Sequence, residues 1–156
     1  MKAGQPVKLH GVDVRIMDEE QAWHLNRLRM KQNIHIAWDL PQLDLTDRLK
    51  EMVKYVKPYK ITCYVLVGFN STIEQDLFRL NTLRELGITP FVIPFRDYGN
   101  ERVPTQYERD LARWANRMWL FKSSSRLTPR LISSLCSNPP PLRTICPAKV
   151  SSAEPI

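Results

Sequence analysis

The chain has 156 residues, of which 43% are hydrophobic and 25% are charged, a composition typical of one folded domain with a sizeable core. No apolar run approaches the ~18 residues of a transmembrane helix, and no apolar signal segment follows the N-terminus, which predicts a cytoplasmic protein without membrane contact. The net charge of +7 is compatible with nucleic-acid binding, but basic and acidic residues interleave along the helices, which favours solvated helix faces over a nucleic-acid surface.

The N-terminal part of the chain predicts two strands, each followed by a helix. A strand and loop within residues 6–17 precede a helix at 19–31, whose first turn is acidic and last turn basic, in keeping with the helix dipole. The short segment 33–38 predicts the second strand, and 45–57 predicts a second helix that Thr46 can cap. Both helices carry apolar residues at helical spacing, which indicates one face turned to a core.

The next two strand–helix pairs have clearer patterns. Residues 60–67 form a nearly continuous apolar run, which predicts a strand in a sheet covered on both faces. The helix predicted at 72–86 begins after a Ser-Thr pair that can form a capping box and ends at Gly87. A strand at 90–95 and a helix at 105–121 follow.

Strands that alternate with helices predict an α/β fold with about four parallel strands, as in half of a barrel or a small open sheet. Ligands in such folds sit beyond the carboxyl ends of the strands. At Gly68 the missing side chain lets another group approach the backbone, beside a helix N-terminus that suits a carboxylate or a sugar hydroxyl. The four strand ends are expected near residues 10–13, 38–39, 68–71 and 94–96.

The composition changes after Lys122. Residues 123–156 contain eight Ser and six Pro and no Gly, Phe, Tyr or Trp, which predicts a disordered tail beyond a domain spanning 1–122. Among the three cysteines, Cys63 is predicted to be a small core residue, and the spacing of Cys136 and Cys146 matches no common metal site.

Several segments resemble the C-terminal half of radical S-adenosylmethionine (radical SAM) proteins, in particular an uncharacterised bacterial and phage group. The segments are GVDVRIMDEEQA, IHIAWDLP, YVLVGFNSTIEQDLFRLNTLRELGITPFVIPF and RDLARWANRMWLFKS, and the resemblance covers roughly residues 6–123. It implies a fragment of a partial (β/α)6 barrel whose strands correspond to the third through sixth of the family.

The resemblance also implies contacts to S-adenosylmethionine. The segment VLVGFNSTIE stands where the family has a glycine motif that packs along the adenosyl group. The preceding strand end supplies polar contacts to the ribose or the methionine part in that family, and the last strand end offers backbone contacts to adenine. The corresponding cofactor-binding residues in this sequence are Gly68, Phe69, Asn70, His35, Asp39 and Phe95.

The chemistry of the family requires a 4Fe–4S cluster held by three cysteines, typically spaced Cys-x3-Cys-x2-Cys, because soft thiolates hold iron. This sequence contains no such triplet. We therefore predict neither catalytic residues nor metal ligands in this chain. We expect a fragment with an internal start and a frame-shifted tail, inactive alone. An N-terminal half supplied in trans, or self-association through open sheet edges, would complete it.

A second hypothesis is a non-catalytic basic module that contacts nucleic acid or a protein partner. Its surface would consist of arginines from the second half of the chain. The same arginines can instead cover helix surfaces with their aliphatic stems, which we favour. The six are Arg84, Arg96, Arg102, Arg109, Arg113 and Arg117.

Overall fold

A computed structural model of the chain describes residues 5–123. Three strands form one parallel sheet in sequential order, and helices connect them. The tail predicted to be disordered falls almost wholly in 124–156, outside the described residues, as do Cys136 and Cys146. The strands are β1 (Ile34–Ala37), β2 (Ile61–Val67) and β3 (Thr89–Pro94), and the helices are α1 (Glu19–Arg27), α2 (Thr46–Tyr55), α3 (Ile73–Glu85), α4 (Gln106–Ala115) and α5 (Met118–Ser123), with a 3-10 turn at Pro58–Lys60.

One face of the sheet forms the core. In the strand register Cys63 lies between Ile36 and Pro90, and Val65 lies beside Val92, so that these side chains share one face. All five are buried. Helix α3 contacts β2 and β3, and α4 contacts β3. The prediction that Cys63 is a core residue is confirmed.

The opposite face of the sheet is open within residues 5–123. Tyr64 lies between Ala37 and Phe91 in the register, and Leu66 lies beside Ile93. Phe91 and Ile93 are 45% and 41% exposed. The prediction of a sheet covered on both faces is therefore wrong for the described part of the chain. Right-handed crossovers between strands in sequential order place the connecting helices on the same face, and the other face receives none.

The strand predicted within 6–17 does not form, so within residues 5–123 the sheet has three strands and not about four. Val7 makes an isolated parallel bridge to Met30, and the Val12 N–H donates to the carbonyl oxygen of His35 at 2.8 Å. The chain bends at His10 between these two contacts. Because the contacts are separated by a bend, the segment touches its neighbours at single points and builds no continuous ladder.

The helix predicted at 105–121 is divided into α4 and α5. Asn116 caps the C-terminus of α4, and its side-chain amide bonds to the backbone of Val92 in β3, at 2.7 Å and 3.0 Å. The break between α4 and α5 therefore lies where the Asn116 side chain contacts the sheet. This is a tertiary interaction, and the helical spacing of apolar residues does not reveal it.

The predicted ends of α3 are confirmed, whereas the predicted start of α2 is corrected. Thr72 and Gln75 form a reciprocal capping box, and Gly87 ends α3 with a φ of 72°. Thr46 does not cap α2, because it is the first helical residue. The side chain of Asp44 accepts hydrogen bonds from the Thr46 N–H and hydroxyl, which lowers the pKa of Asp44.

Candidate functional site

A pocket of about 490 Å³ opens at the carboxyl end of β1. Residues 11–15 bound one side of it, and the segment that leaves β1 bounds the other. Two of the four places at which the sequence predicts ligand contacts therefore meet here. The walls are formed by the apolar residues Val12, Ala37, Trp38, Leu40, Leu43 and Leu45, together with Gly11, and the charged groups are Asp13, Arg15 and Asp39.

Asp13 and Arg15 form an ion pair in the wall of this pocket. The Nε and Nη2 groups of Arg15 donate to both carboxylate oxygens of Asp13 at 2.5–3.1 Å. These hydrogen bonds lower the pKa of Asp13 to about 2, so the carboxylate is charged at neutral pH. Since both side chains are exposed, the pair adds little to stability and stays accessible to a ligand.

Asp39 and Trp38 follow β1 and have different roles in the pocket. The Oδ1 atom of Asp39 accepts a hydrogen bond from the Leu66 N–H at 3.2 Å, which ties the end of β1 to β2. Trp38 is buried, and its indole N–H donates to the carbonyl oxygen of Leu43 at 2.6 Å. Trp38 therefore provides an apolar wall, and Asp39 provides an exposed carboxylate.

A buried ion pair from α3 lies under these strand ends. Arg79 donates to the carbonyl oxygens of Trp38 and Leu66 at 2.5 Å and 2.9 Å and pairs with Asp76 at 2.5 Å. The other carboxylate oxygen of Asp76 accepts the Gly68 N–H at 3.3 Å. Arg79 and Asp76 are 1% and 3% exposed. The pair therefore fixes the ends of β1 and β2 relative to each other, with each charge compensated by its partner.

The space beside Gly68 is filled by side chains of the same chain. Gly68 has a φ of 75°, and a Cβ atom there would overlap the Glu108 carboxylate and lie 2.8 Å from Nη2 of Arg102. Arg102 and Glu108 themselves pair at 2.8 Å. The group that approaches the Gly68 backbone in this structure is thus an internal ion pair, and a ligand at this corner would have to displace or share it.

Phe69 and Phe95 meet at the ends of β2 and β3. Their rings contact edge to face with centroids 4.7 Å apart. The guanidinium of Arg102 lies 5.3 Å from the centre of the Phe95 ring and donates to the Phe95 carbonyl oxygen at 2.7 Å. The resemblance assigns backbone groups at this strand end to adenine. The Phe95 carbonyl oxygen is one of them, and it already accepts a hydrogen bond from Arg102. Asn70 is exposed and has a left-handed φ of 48°.

His35 lies on the open face of the sheet and not among the pocket residues. Its Nδ1 atom is 3.4 Å from the Tyr64 hydroxyl, and the two rings meet edge to face. Tyr64 in turn contacts Phe91, with ring centroids 5.3 Å apart. The six predicted contact residues thus fall in separate places: Asp39 at the β1 pocket, His35 on the open face, and Gly68, Phe69, Asn70 and Phe95 at the ends of β2 and β3.

Sequence reasoning missed the role of four charged residues that organise the strand ends. Asp76 and Arg79 had a detectable signal, because they share one helical face with the buried Leu80 and Leu83. Charged residues on a core-facing stripe need buried partners. Arg102 and Glu108 carry no such signal, since they meet only after the loop that follows β3 has folded back.

The described residues do not fit an iron–sulfur cluster. The thiol of Cys63 is buried in the core, and burial raises its pKa, which disfavours the thiolate that a cluster needs. Among residues 5–123, no three His, Cys, Asp or Glu side chains are grouped so as to hold a metal ion.

Several arginines of the alternative basic surface have local partners. Arg102 pairs with Glu108, and Arg113 pairs with Asp110 at 3.0 Å. Arg109 donates to a loop carbonyl and to a glutamine of its own helix. Such pairing partly neutralises the surface, and the basic module stays a hypothesis.

Comparison with protein-family models, with curated protein sequences and with solved structures finds no match to this chain. Within residues 5–123, no helix has both the length and the apolar character needed to cross a membrane.

Proposed function

We propose that the chain is a barrel fragment that forms part of an S-adenosylmethionine cleft of the radical SAM type and that it has no activity alone. The observation that carries this proposal is the arrangement of the sheet, with strands in sequential order and helices on one face. A (β/α) barrel has this arrangement, whereas a doubly wound sheet carries helices on both faces. The open face would then be the inner wall of the barrel.

The pocket at the end of β1 supports a ligand that carries charges of both signs. S-adenosylmethionine has an ammonium group, a sulfonium group and a carboxylate, joined by apolar carbon. Asp39 and Asp13 suit the cations, Arg15 suits the carboxylate, and Leu40 belongs to the apolar wall. We therefore assign the ligand to this pocket and not to the corner at Gly68, because an internal ion pair occupies that corner.

No cluster-dependent step is assigned to this chain, since the sequence has no cysteine triplet and residues 5–123 do not fit a cluster. We propose that a cytoplasmic partner with the N-terminal part of the barrel and its cysteine triplet would supply that chemistry in trans.

Direct binding of S-adenosylmethionine, measured by calorimetry, tests the proposal. The variant Asp39→Asn keeps an oxygen that can accept the Leu66 N–H but removes the negative charge. We expect it to weaken binding about tenfold or more, as for the loss of a charge-assisted hydrogen bond. The control Asp47→Asn, which makes the same change on the exposed face of α2, should bind as the unmodified chain does.

Two results would contradict the proposal. One is the absence of S-adenosylmethionine binding to a folded chain. The other is equal weakening by the Asp39 and Asp47 substitutions, which would show that the chain attracts the ligand through its overall charge and not through the pocket.

A further inference from the structure

One edge of β3 has no neighbouring strand within residues 5–123. The Phe95 N–H donates to the Val67 carbonyl oxygen at 2.9 Å, so odd-numbered residues of this strand direct their backbone groups toward β2. Alternate residues of a strand direct these groups to opposite sides. The residues whose backbone groups face outward are therefore Pro90, Val92 and Pro94.

This outward edge offers no free N–H group to another strand. Pro90 and Pro94 have none. The Val92 N–H donates to Oδ1 of Asn116 at 2.7 Å, and Nδ2 of Asn116 donates to the Val92 carbonyl oxygen at 3.0 Å. A parallel or antiparallel ladder needs donors as well as acceptors, and only the two proline carbonyls are left on this edge.

We propose that Asn116 takes the place of a fourth strand and, with the two prolines, closes β3 against strand addition by another chain. Its side-chain amide presents the same donor and acceptor pair that a neighbouring backbone would present. The closure protects an edge that would otherwise template association. It also makes β3 the terminal strand of the sheet.

A strand from a partner can then join the sheet only beside β1. The Trp38 N–H donates to Tyr64 in β2, so His35 and Ala37 direct their backbone groups outward, and both have an N–H. The Val12 N–H already donates to the His35 carbonyl oxygen, so one of the outward groups on this edge has a partner. The identity of such a partner as the remaining barrel half rests on the proposed function, whereas the closure of β3 does not.

Amide hydrogen exchange at Val92 tests the contact with Asn116 directly. We expect Asn116→Ala to speed exchange at this amide about tenfold or more, because the only partner of the N–H is removed. Asn116→Asp keeps an acceptor and should keep most of the protection. Equal exchange in the unmodified chain and the alanine variant would overturn the proposal.

Strand addition is tested by restoring the missing donors. In P90V/P94T/N116A the outward edge has three free N–H groups, and we expect concentration-dependent association by analytical ultracentrifugation, with slowed exchange at positions 90, 92 and 94. The matched control P90V/P94T keeps Asn116 and should sediment as the unmodified chain does. A folded triple variant that sediments like the control, with fast exchange at these positions, would overturn the proposal. If the triple variant does not fold, exchange at Val92 in the single variants decides.

Discussion

At the scale of single residues, the strand ends depend on buried charges that hold backbone groups in place. Arg79 bonds to the carbonyl oxygens of Trp38 and Leu66, and Asp76 accepts the Gly68 N–H. A buried ion pair of this kind is weak evidence for stability, because desolvation opposes the attraction. Its effect is on position, because it holds the backbone at Trp38, Leu66 and Gly68 together at the ends of β1 and β2.

Gly68 shows why one position requires glycine. Its positive φ and the contact with the Glu108 carboxylate both exclude a Cβ atom. We expect Gly68→Ala to lower the free energy of unfolding by about 1–3 kcal/mol, measured by urea denaturation. The control Gly11→Ala should change it by less than about 0.5 kcal/mol, because the nearest atom to its Cβ would be the His35 carbonyl oxygen at 3.9 Å.

A double variant separates the two causes at Gly68. In a Glu108→Ala background the overlap with the carboxylate is removed, and Arg102, which has lost its ion-pair partner, can move away from the new Cβ atom. The positive φ is kept, so Gly68→Ala should cost less there than in the unmodified chain. Equal costs in both backgrounds would mean that backbone strain acts alone and that the ion pair does not restrict this corner.

At the scale of elements, neighbouring residues determine where a helix begins, and long side chains connect one helix to another. Three helices begin with reciprocal capping boxes, at Asp18, Thr72 and Thr105. The contact between α1 and α2 includes a hydrogen bond from the Tyr55 hydroxyl to the Glu19 carboxylate. This bond stabilises the protonated phenol and raises the pKa of Tyr55 to about 12.

The raised pKa of Tyr55 determines the pH range in which this contact stabilises the fold. Its ordinary pKa is about 10, so the stabilisation is present below pH ~10 and is lost as the pH rises through about 12. We expect Glu19→Gln to return the pKa of Tyr55 toward ~10, measured by NMR titration of its ring carbons. The control Glu20→Gln, one residue along α1, should leave that pKa unchanged, and an unchanged pKa in the Glu19 variant would contradict the assigned contact.

At the scale of the whole molecule, the sheet has one covered and one open face. Two adjacent residues of β3 show the difference: Val92 on the covered face is 2% exposed, and Phe91 on the open face is 45% exposed. The open face carries a row of aromatic rings from His35 through Tyr64 to Phe91. Such a surface suits a ligand or a partner, and it is the feature that the proposed barrel interior would use.

Lysine substitutions at these two neighbours test which face is covered. We expect Val92→Lys to prevent folding or to lower the free energy of unfolding by more than about 4 kcal/mol, since it buries an unpaired charge. Phe91→Lys should cost only about 1 kcal/mol, because the lysine can reach solvent from the open face. Thermal and urea unfolding measure both values. A similar large loss in both variants would show that the second face is also covered in solution.

The sequence by itself determined the elements that depend on local patterns. A continuous apolar run located β2, and apolar periodicity located α3. The pair Ser71-Thr72 ahead of Glu74 and Gln75 predicted a capping box at the start of α3, and Gly87 predicted its end, because helix caps depend on neighbouring residues. It also indicated the strand ends at which the β1 pocket opens. The prediction of a strand within 6–17 was wrong, because the extended residues there pair with other backbone only through an isolated bridge to Met30 and one hydrogen bond to His35.

Only the tertiary structure decided which groups meet. Arg102 pairs with Glu108 beside Gly68, and Asn116 bonds to Val92, because loops fold back onto the sheet. One sheet face is open because the crossovers place the helices on the other face. A strand pattern records that residues alternate between two faces, but not which face the helices cover. For this reason residues assigned to one cofactor site by resemblance are divided between a pocket, a filled corner and an open face.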